Sequence, residues 1–163
     1  MAGRTDCVEK TLIILKPDAV HRRLVGRITA RFEQRGLRIA AMQMRTLSEE
    51  LVRKHYSQHE GKSFYEPLVR YMSNAPVVLM VLEGMSAVRV VRDMLGATFG
   101  GESASGTIRG DFCLSNRFNL VHASDSSESA EREIALFFSP EAILDYEPCD
   151  SGFVYDLSGP EPV

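Results

Sequence analysis

A histidine suited to nucleophilic chemistry stands at position 122, inside the run Asn119-Leu120-Val121-His122-Ala123-Ser124-Asp125-Ser126. A short β-rich segment leads into it, and three good N-cap residues (Ser124, Asp125 and Ser126) follow it. The start of a helix points free backbone N–H groups outward and carries the positive end of the dipole, so it suits phosphate. The helix carries a second signal. On a wheel of about 100° per residue, Ala130, Ile134 and Phe137 form the apolar stripe. Glu133 falls inside that stripe, whereas Glu128, Glu131 and Arg132 fall outside it. A carboxylate on an inner face needs a partner, because burying it alone is costly. His122 is one candidate for that partner; solvent at the helix edge is the alternative. A carboxylate on one imidazole nitrogen would fix the tautomer and leave the other nitrogen's lone pair free to attack.

Two cations are weaker candidates. Lys16 ends the apolar segment Thr11–Leu15 just before Pro17, either at the working edge of a sheet or as an end-of-strand lysine reaching for water. Arg92 flanks the stripe formed by Val88 and Leu95 and reads equally well as a helix-boundary arginine. Nucleotide binding, if present, uses neither a P-loop nor a Rossmann turn, since both glycine patterns are missing. His21, His55 and His59 show no metal-ligand spacing with nearby acids or cysteines and read as surface or helix-packing residues, so no metal ligand is expected from the chain.

The elements that must hold these residues follow from periodicity. The 163 residues fit one domain, 1–163, with a core of about 9–157. Strands are predicted over Thr11–Leu15, Leu37–Arg45, Pro76–Leu82 and Phe118–Val121, with Ala40, Met42 and Met44 on one face of the second. Val25, Ile28 and Phe32 mark a helix stopped by Gly36. Thr46 and Glu49 form a capping-box pattern for a helix running through Tyr56. Phe64, Leu68 and Met72 mark another helix, and Val88, Val91 and Leu95 one that ends at Gly96. The last long helix covers Ser126 to Phe138. This β-α-β-α-α-β-α-β-α order predicts an α/β sandwich: a four-stranded sheet covered by helices, of split βαβ type. The connection from Ala97 to Asn116 is unusually long for a loop, which suggests function. It contains Thr98, Thr107, Arg109 and Asp111. The tail after Pro140 should lie over the surface or a neighbour.

Composition excludes some classes. The net charge of −3 provides no general attraction to nucleic acid. No stretch approaches the ~20 apolar residues that span a bilayer, and the start, Met1 to Glu9, lacks a signal-peptide core. Cys7, Cys113 and Cys149 are odd in number and irregular in spacing, as expected of reduced thiols in the cytoplasm. Arginines far outnumber lysines, and none of either follows Arg132. Arginine's planar fork suits phosphate oxygens.

Together these residues resemble the nucleoside diphosphate kinase family. The resemblance runs from about Thr11 to Tyr155. It is carried by Asn119-Leu-Val-His122-Ala-Ser124-Asp125, Lys16-Pro17-Asp18, His55-Tyr56, the run Gly84 to Thr98, and Gly106-Thr-Ile-Arg109-Gly-Asp111-Phe. It implies a ferredoxin-like fold with a four-stranded antiparallel sheet, assembled as a homo-hexamer or homo-tetramer. It implies ping-pong transfer of the terminal phosphate from ATP to a nucleoside diphosphate through phosphorylated His122. Lys16 and Arg109 would contact the transferred phosphate, with Tyr56 supporting Lys16. Arg92 and Thr98 would hold the inner phosphates, Asn119 with Lys16 the ribose hydroxyls, and Phe64 the base. Glu133 and Ser124 would orient His122. Mg²⁺ would arrive with the nucleotide. Partners would be nucleoside tri- and diphosphates, with no nucleic acid and no membrane.

The chain departs from the family pattern at several points. Ala123 and Ser105 stand where glycine and proline are usual, and Phe99-Gly100 stands for Asn-Pro. Asn116-Arg117-Phe118 replaces an apolar-Gly-Arg run, and Ser63 stands where proline is frequent. Ala123 is a mild change provided φ there stays negative. Two rivals remain at this stage. A phosphohistidine relay protein would need His122 and Glu133 but not Lys16, Phe64, Arg92, Thr98 and Asn119 together. An RNA-binding module would want exposed strand aromatics and a basic face.

Overall fold

The computed structural model describes residues 8–156. Four strands, β1 (Val8–Leu15), β2 (Arg38–Thr46), β3 (Pro76–Met85) and β4 (Val121–Ala123), form one antiparallel sheet in the order β2-β3-β1-β4. Helices α1 (Pro17–His21) and α2 (Val25–Gln34) follow β1, and α3 (Glu49–His55) and α4 (Tyr65–Ser73) follow β2. Next come α5 (Ala87–Leu95) and α6 (Ile108–Phe112) after β3, and α7 (Ser127–Phe137) and the short α8 (Ser151–Val154) after β4. This is the ferredoxin-like α/β arrangement expected from the element order.

The two central strands are apolar throughout Leu12–Leu15 and Val77–Leu82 because both faces of the sheet are covered there. Leu12, Ile14, Val77, Leu79 and Val81 pack with α3, α4 and α7 residues such as Val52, Met72, Ile134 and Phe137. Their alternates Ile13, Leu15, Val78, Met80 and Leu82 pack with Ile28 and Phe32 of α2 and Val91 and Leu95 of α5. Val121 and Ala123 belong to this second layer. With a period of two, His122 between them points into the first layer, towards α3 and α7.

Several boundaries differ from the sequence expectations. The second strand has a bulge between Ile39 and Ala41. Past it the faces invert: Ala40 is buried, whereas Met42 and Met44 are 47% and 60% exposed. Thr46 still pairs with Pro76, and Ser48 caps α3 instead, its hydroxyl accepting from Leu51 N–H at 3.2 Å. The last strand is Val121–Ala123 rather than Phe118–Val121, because Leu120 has φ +64°. That left-handed residue breaks the extended run and turns the chain sharply ahead of His122. The long connection is not structureless: it holds a 3₁₀ turn, Gly100–Glu102, and α6, capped by Thr107. The closing tail runs beside β2, where Leu144 N–H donates to the Ala40 carbonyl at 2.8 Å.

Candidate active site

The end of β1 and the start of β4 lie side by side, Ile14 opposite His122. Ser126 caps α7, its hydroxyl accepting from Ser129 N–H at 3.1 Å. One helical face then carries Ala130, Glu133, Ile134 and Phe137 inward, all buried. His122 Nε2 meets Glu133 Oε2 at 3.0 Å. The Ser124 hydroxyl donates to the same oxygen at 2.7 Å, and Leu12 N–H donates to that hydroxyl at 3.3 Å. Burial acts against the charged carboxyl, but the bonds from His122 and Ser124 outweigh it and hold Glu133 below the usual glutamate value. An ionised Glu133 accepts the Nε2 proton. The remaining nitrogen, Nδ1, then carries the lone pair. His122 is only partly buried, so a phosphorus atom can approach it.

Aromatic rings surround this pair. The His55 ring lies edge-on to His122 at 4.6 Å between centroids, and Tyr56 at 6.0 Å. Desolvation, with His122 nearby, pulls His55 down to about 3, so it is neutral near neutral pH. From Tyr56 the rings continue outward: His59 is 6.1 Å from Tyr56 and Phe64 is 5.4 Å from His59. Phe64 is 49% exposed at the start of α4, an apolar plate open to solvent.

A second cluster stands at the Lys16 end. Lys16 Nζ donates to Asn119 Oδ1 at 2.6 Å, and Asn119 Nδ2 donates to the Thr98 carbonyl at 2.9 Å. Desolvation, reinforced by Arg109, lowers Lys16 to about 8. Arg109 is buried, and its guanidinium donates to four backbone carbonyls: Asn119 at 3.2 Å, Gly96 at 3.0 Å, Ala97 at 3.2 Å and Val121 at 2.7 Å. An arginine has five N–H donors, so these four bonds leave about one uncommitted. Asp18 braces the same turn, accepting from Tyr71 O–H at 2.6 Å and from Leu120 N–H at 3.1 Å.

The structure thus joins His122, Glu133 and Ser124 directly, and Lys16, Asn119, Arg109 and the Thr98 backbone directly. Arg92 and the Thr98 side chain lie exposed at the rim, with Arg92 close enough to act on Arg109. Tyr56 is not brought to Lys16 by a hydrogen bond: its buried hydroxyl has no partner. Among the described residues, φ is positive outside glycine only at Arg23, Ser86 and Leu120, so Ala123 sits without strain where a glycine is usual. Sequence reasoning missed three residues here. His55 was set aside because no local spacing links it to His122. Tyr71 had no motif at all. The signal for Asp18 was its place just after Lys16-Pro17.

A histidine held by a buried carboxylate, with a lysine, an arginine and an exposed ring on neighbouring segments, has the chemistry to take a nucleotide's phosphates. The model of the nucleoside diphosphate kinase family matches residues 9–143. The chain belongs to this family. It is 51% identical over 149 residues to the nucleoside diphosphate kinase of Methanothermobacter thermautotrophicus, covering 91% of this chain and 99% of that one. It is 55% identical over 142 residues to that of Pyrococcus furiosus, covering 85% and 88%. Among solved structures, the halophilic nucleoside diphosphate kinase of Halobacterium salinarum in complex with CDP superposes with a TM-score of 0.88. That protein is 42% identical, with 90% of this chain and 98% of that chain covered. A family protein from Babesia bovis gives 0.87 at 43% identity, covering 90% and 99%.

Proposed function

We propose that this chain transfers the terminal phosphate of a nucleoside triphosphate to a nucleoside diphosphate through a phosphohistidine on His122. The activity is that of its family; the assignment to residues rests above all on the 3.0 Å contact between His122 Nε2 and Glu133. The Nδ1 lone pair attacks the γ-phosphorus. The bond from that phosphorus to the β-phosphate oxygen breaks, and the diphosphate leaves with its electrons. The imidazolium so formed keeps its Nε2 proton against Glu133, which neutralises the new charge without any atom moving far. An acceptor diphosphate then reverses the step, so one difficult displacement becomes two similar ones.

Lys16 and Arg109 meet the transferred phosphate in this reading, and Tyr56 backs Lys16 without a hydrogen bond to it. Arg109 does so through its remaining N–H or by releasing a carbonyl. Arg92 and Thr98 hold the inner phosphates, Asn119 and Lys16 the ribose hydroxyls, and Phe64 the base by stacking, which tolerates many bases. Nucleotide kinases generally require a divalent metal. The side chains at the phosphate end are cations and amides apart from Asp18, which is committed to Tyr71 and Leu120, and the carboxylate at His122 is committed to it and to Ser124. Such a set fits Mg²⁺ carried in on the nucleotide, where it shields charge on the phosphates.

Homo-hexamer or homo-tetramer assembly is part of the proposal, and the exposed Met42 and Met44 on the edge strand β2 supply an apolar contact for it. Among the described residues no helix is long and apolar enough to cross a membrane. A cytoplasmic location accords with the free thiols of Cys113 and Cys149. The test is intact-protein mass spectrometry after brief exposure to ATP and Mg²⁺ at neutral or basic pH. One phosphoryl group should be gained, then lost on adding any nucleoside diphosphate. Folded protein that binds ATP yet gains nothing sinks the mechanism.

A further inference from the structure

His55 sits behind the nucleophile and takes no part in the mechanism above. It is 6% exposed, and neither ring nitrogen has a hydrogen-bond partner. Leaving a buried imidazole N–H unpaired is costly, so a group in this position calls for a reason. Its donor atom, one nitrogen of His122 and one oxygen of Glu133 all lie within 4.8 Å of one another. Two imidazoles and a carboxylate form one of the ordinary three-residue zinc sets, with a fourth position left for water.

We propose that His55, His122 and Glu133 form a Zn²⁺ site, separate from the nucleotide's own metal, and that an ion there silences the kinase by reversing the His122 tautomer. Imidazole nitrogens suit Zn²⁺, whereas Mg²⁺ prefers oxygen and gives up its waters reluctantly. Lys16 and Arg132 are near enough to His55 to oppose an incoming cation. That opposition favours an ion held by short bonds to nitrogen over one held by charge alone. Zn–N bonds of about 2.0–2.1 Å put two tetrahedral ligands roughly 3.3 Å apart. His122 and Glu133 stand close to this spacing at 3.0 Å, and a nitrogen of His55 lies within 4.8 Å of both.

The proton count closes without any release from His122. In the neutral ring that the proposed transfer uses, the proton is on Nε2 against Glu133, and Nδ1 has the lone pair. Zn²⁺ takes the Nε2 lone pair, and the proton moves to Nδ1. The nitrogen that attacks phosphorus is then protonated and cannot attack. Ser124, which donates to Glu133 at 2.7 Å, remains to orient the carboxylate on the ion.

The inhibitory half rests on His122 being the nucleophile, whereas binding does not, so the two are measured separately. The full chain, free of nucleotide, is dialysed against Zn²⁺, and bound metal is counted for the parent and for His55→Phe. Phenylalanine keeps a ring in the packed position and removes both nitrogens. The parent should bind one ion per chain. His55→Phe should lose at least about 100-fold in affinity, more than loss of an outer-shell partner costs. X-ray absorption at the zinc edge of the parent should show two imidazole ligands, which decides the matter even if the variant fails to fold. ATP-to-diphosphate exchange with Mg²⁺ should fall on adding Zn²⁺ in the parent. In His55→Phe it should not fall relative to that variant's own zinc-free rate. A parent that binds no Zn²⁺, a spectrum without imidazole, or a His55→Phe that binds as tightly as the parent overturns the proposal. A chain that exchanges phosphate but ignores Zn²⁺ loses the zinc site and keeps its kinase reading. One that binds Zn²⁺ through His55 but never exchanges does the reverse.

Discussion

Two buried charges flank the site, and they are held in different ways. Glu133 is fixed by regular structure: its helix face, the strand beneath and one serine direct its oxygen at His122. Arg109 is fixed mostly by irregular chain, its guanidinium donating to carbonyls of two segments, Gly96 and Ala97 on one and Asn119 and Val121 on the other. In the proposed transfer the first charge tunes the reacting atom. The second holds together the segments on which Thr98 and Asn119 stand. A buried charge is therefore no measure by itself of what a residue does: Glu133's bonds end on side chains, whereas Arg109 holds backbone in place besides the phosphate contact proposed for it.

The largest effect expected of any substitution follows from the first side of this contrast. His122→Ala should abolish exchange and the phosphoryl adduct while leaving nucleotide binding largely intact, since no nucleotide contact is assigned to it beyond the phosphorus. Near-normal exchange in that variant, measured from ATP to a second diphosphate, would end the argument for His122. Glu133→Gln comes next. It keeps the shape but loses the charge that holds the Nε2 proton and balances the imidazolium. Phosphorylation should slow about 10- to 100-fold, as when the outer partner of a functional histidine is removed. A melting curve should show the protein still folded, and an unchanged rate reduces Glu133 to packing.

The second side predicts the opposite pattern. Arg109→Ala strands four carbonyls and should cost about 3 kcal/mol or more in stability, read by urea unfolding. Arg109→Lys recovers little, because an ammonium cannot reach acceptors spread across a guanidinium's fork. Arg92→Ala serves as the control: an exposed arginine whose loss should change stability by less than about 0.5 kcal/mol. It should nonetheless weaken nucleotide binding roughly 10- to 100-fold if it holds phosphate through a charged hydrogen bond. Equal stability losses at positions 92 and 109 would erase the distinction between rim and brace.

The same contrast explains what the sequence disclosed. Glu133 was legible because a helix imposes a period: one acid among Ala130, Ile134 and Phe137 stands out on a wheel. The central strands were legible because both faces are covered, so Thr11–Leu15 and Pro76–Leu82 read as unbroken apolar runs. The Arg109 brace was not legible, since its partners are carbonyls and a carbonyl has no residue identity. Nor were the turn at Leu120 or the bulge at Ile39/Ala41, where backbone torsions run against what an apolar pattern suggests. His55 escaped for a third reason: it touches His122 only through the tertiary fold. The roles proposed for Arg92, Thr98 and Phe64 come from the resemblance to the family, since no local pattern carries them.

The smallest expected effect comes from Lys16, which joins the two regions. Burial, aided by Arg109, brings it down to about 8, so its charge is lost within an accessible pH range. Nucleotide affinity of the free protein should fall as pH rises through 8 and level off about tenfold lower for each unit the bound phosphate raises that value. Stability should move the other way. The native lysine has a pKa below its unfolded 10.5, so between about 8 and 10.5 the unfolded chain binds more protons, and this group's contribution to stability rises with pH. A binding loss that tracked unfolding would show both quantities falling together. Lys16→Arg separates the cases again: a guanidinium does not titrate in this range, so the step at 8 should vanish from the binding profile. A step that survives in Lys16→Arg must belong to another group, and Lys16 would then be charged throughout, as Arg109 is.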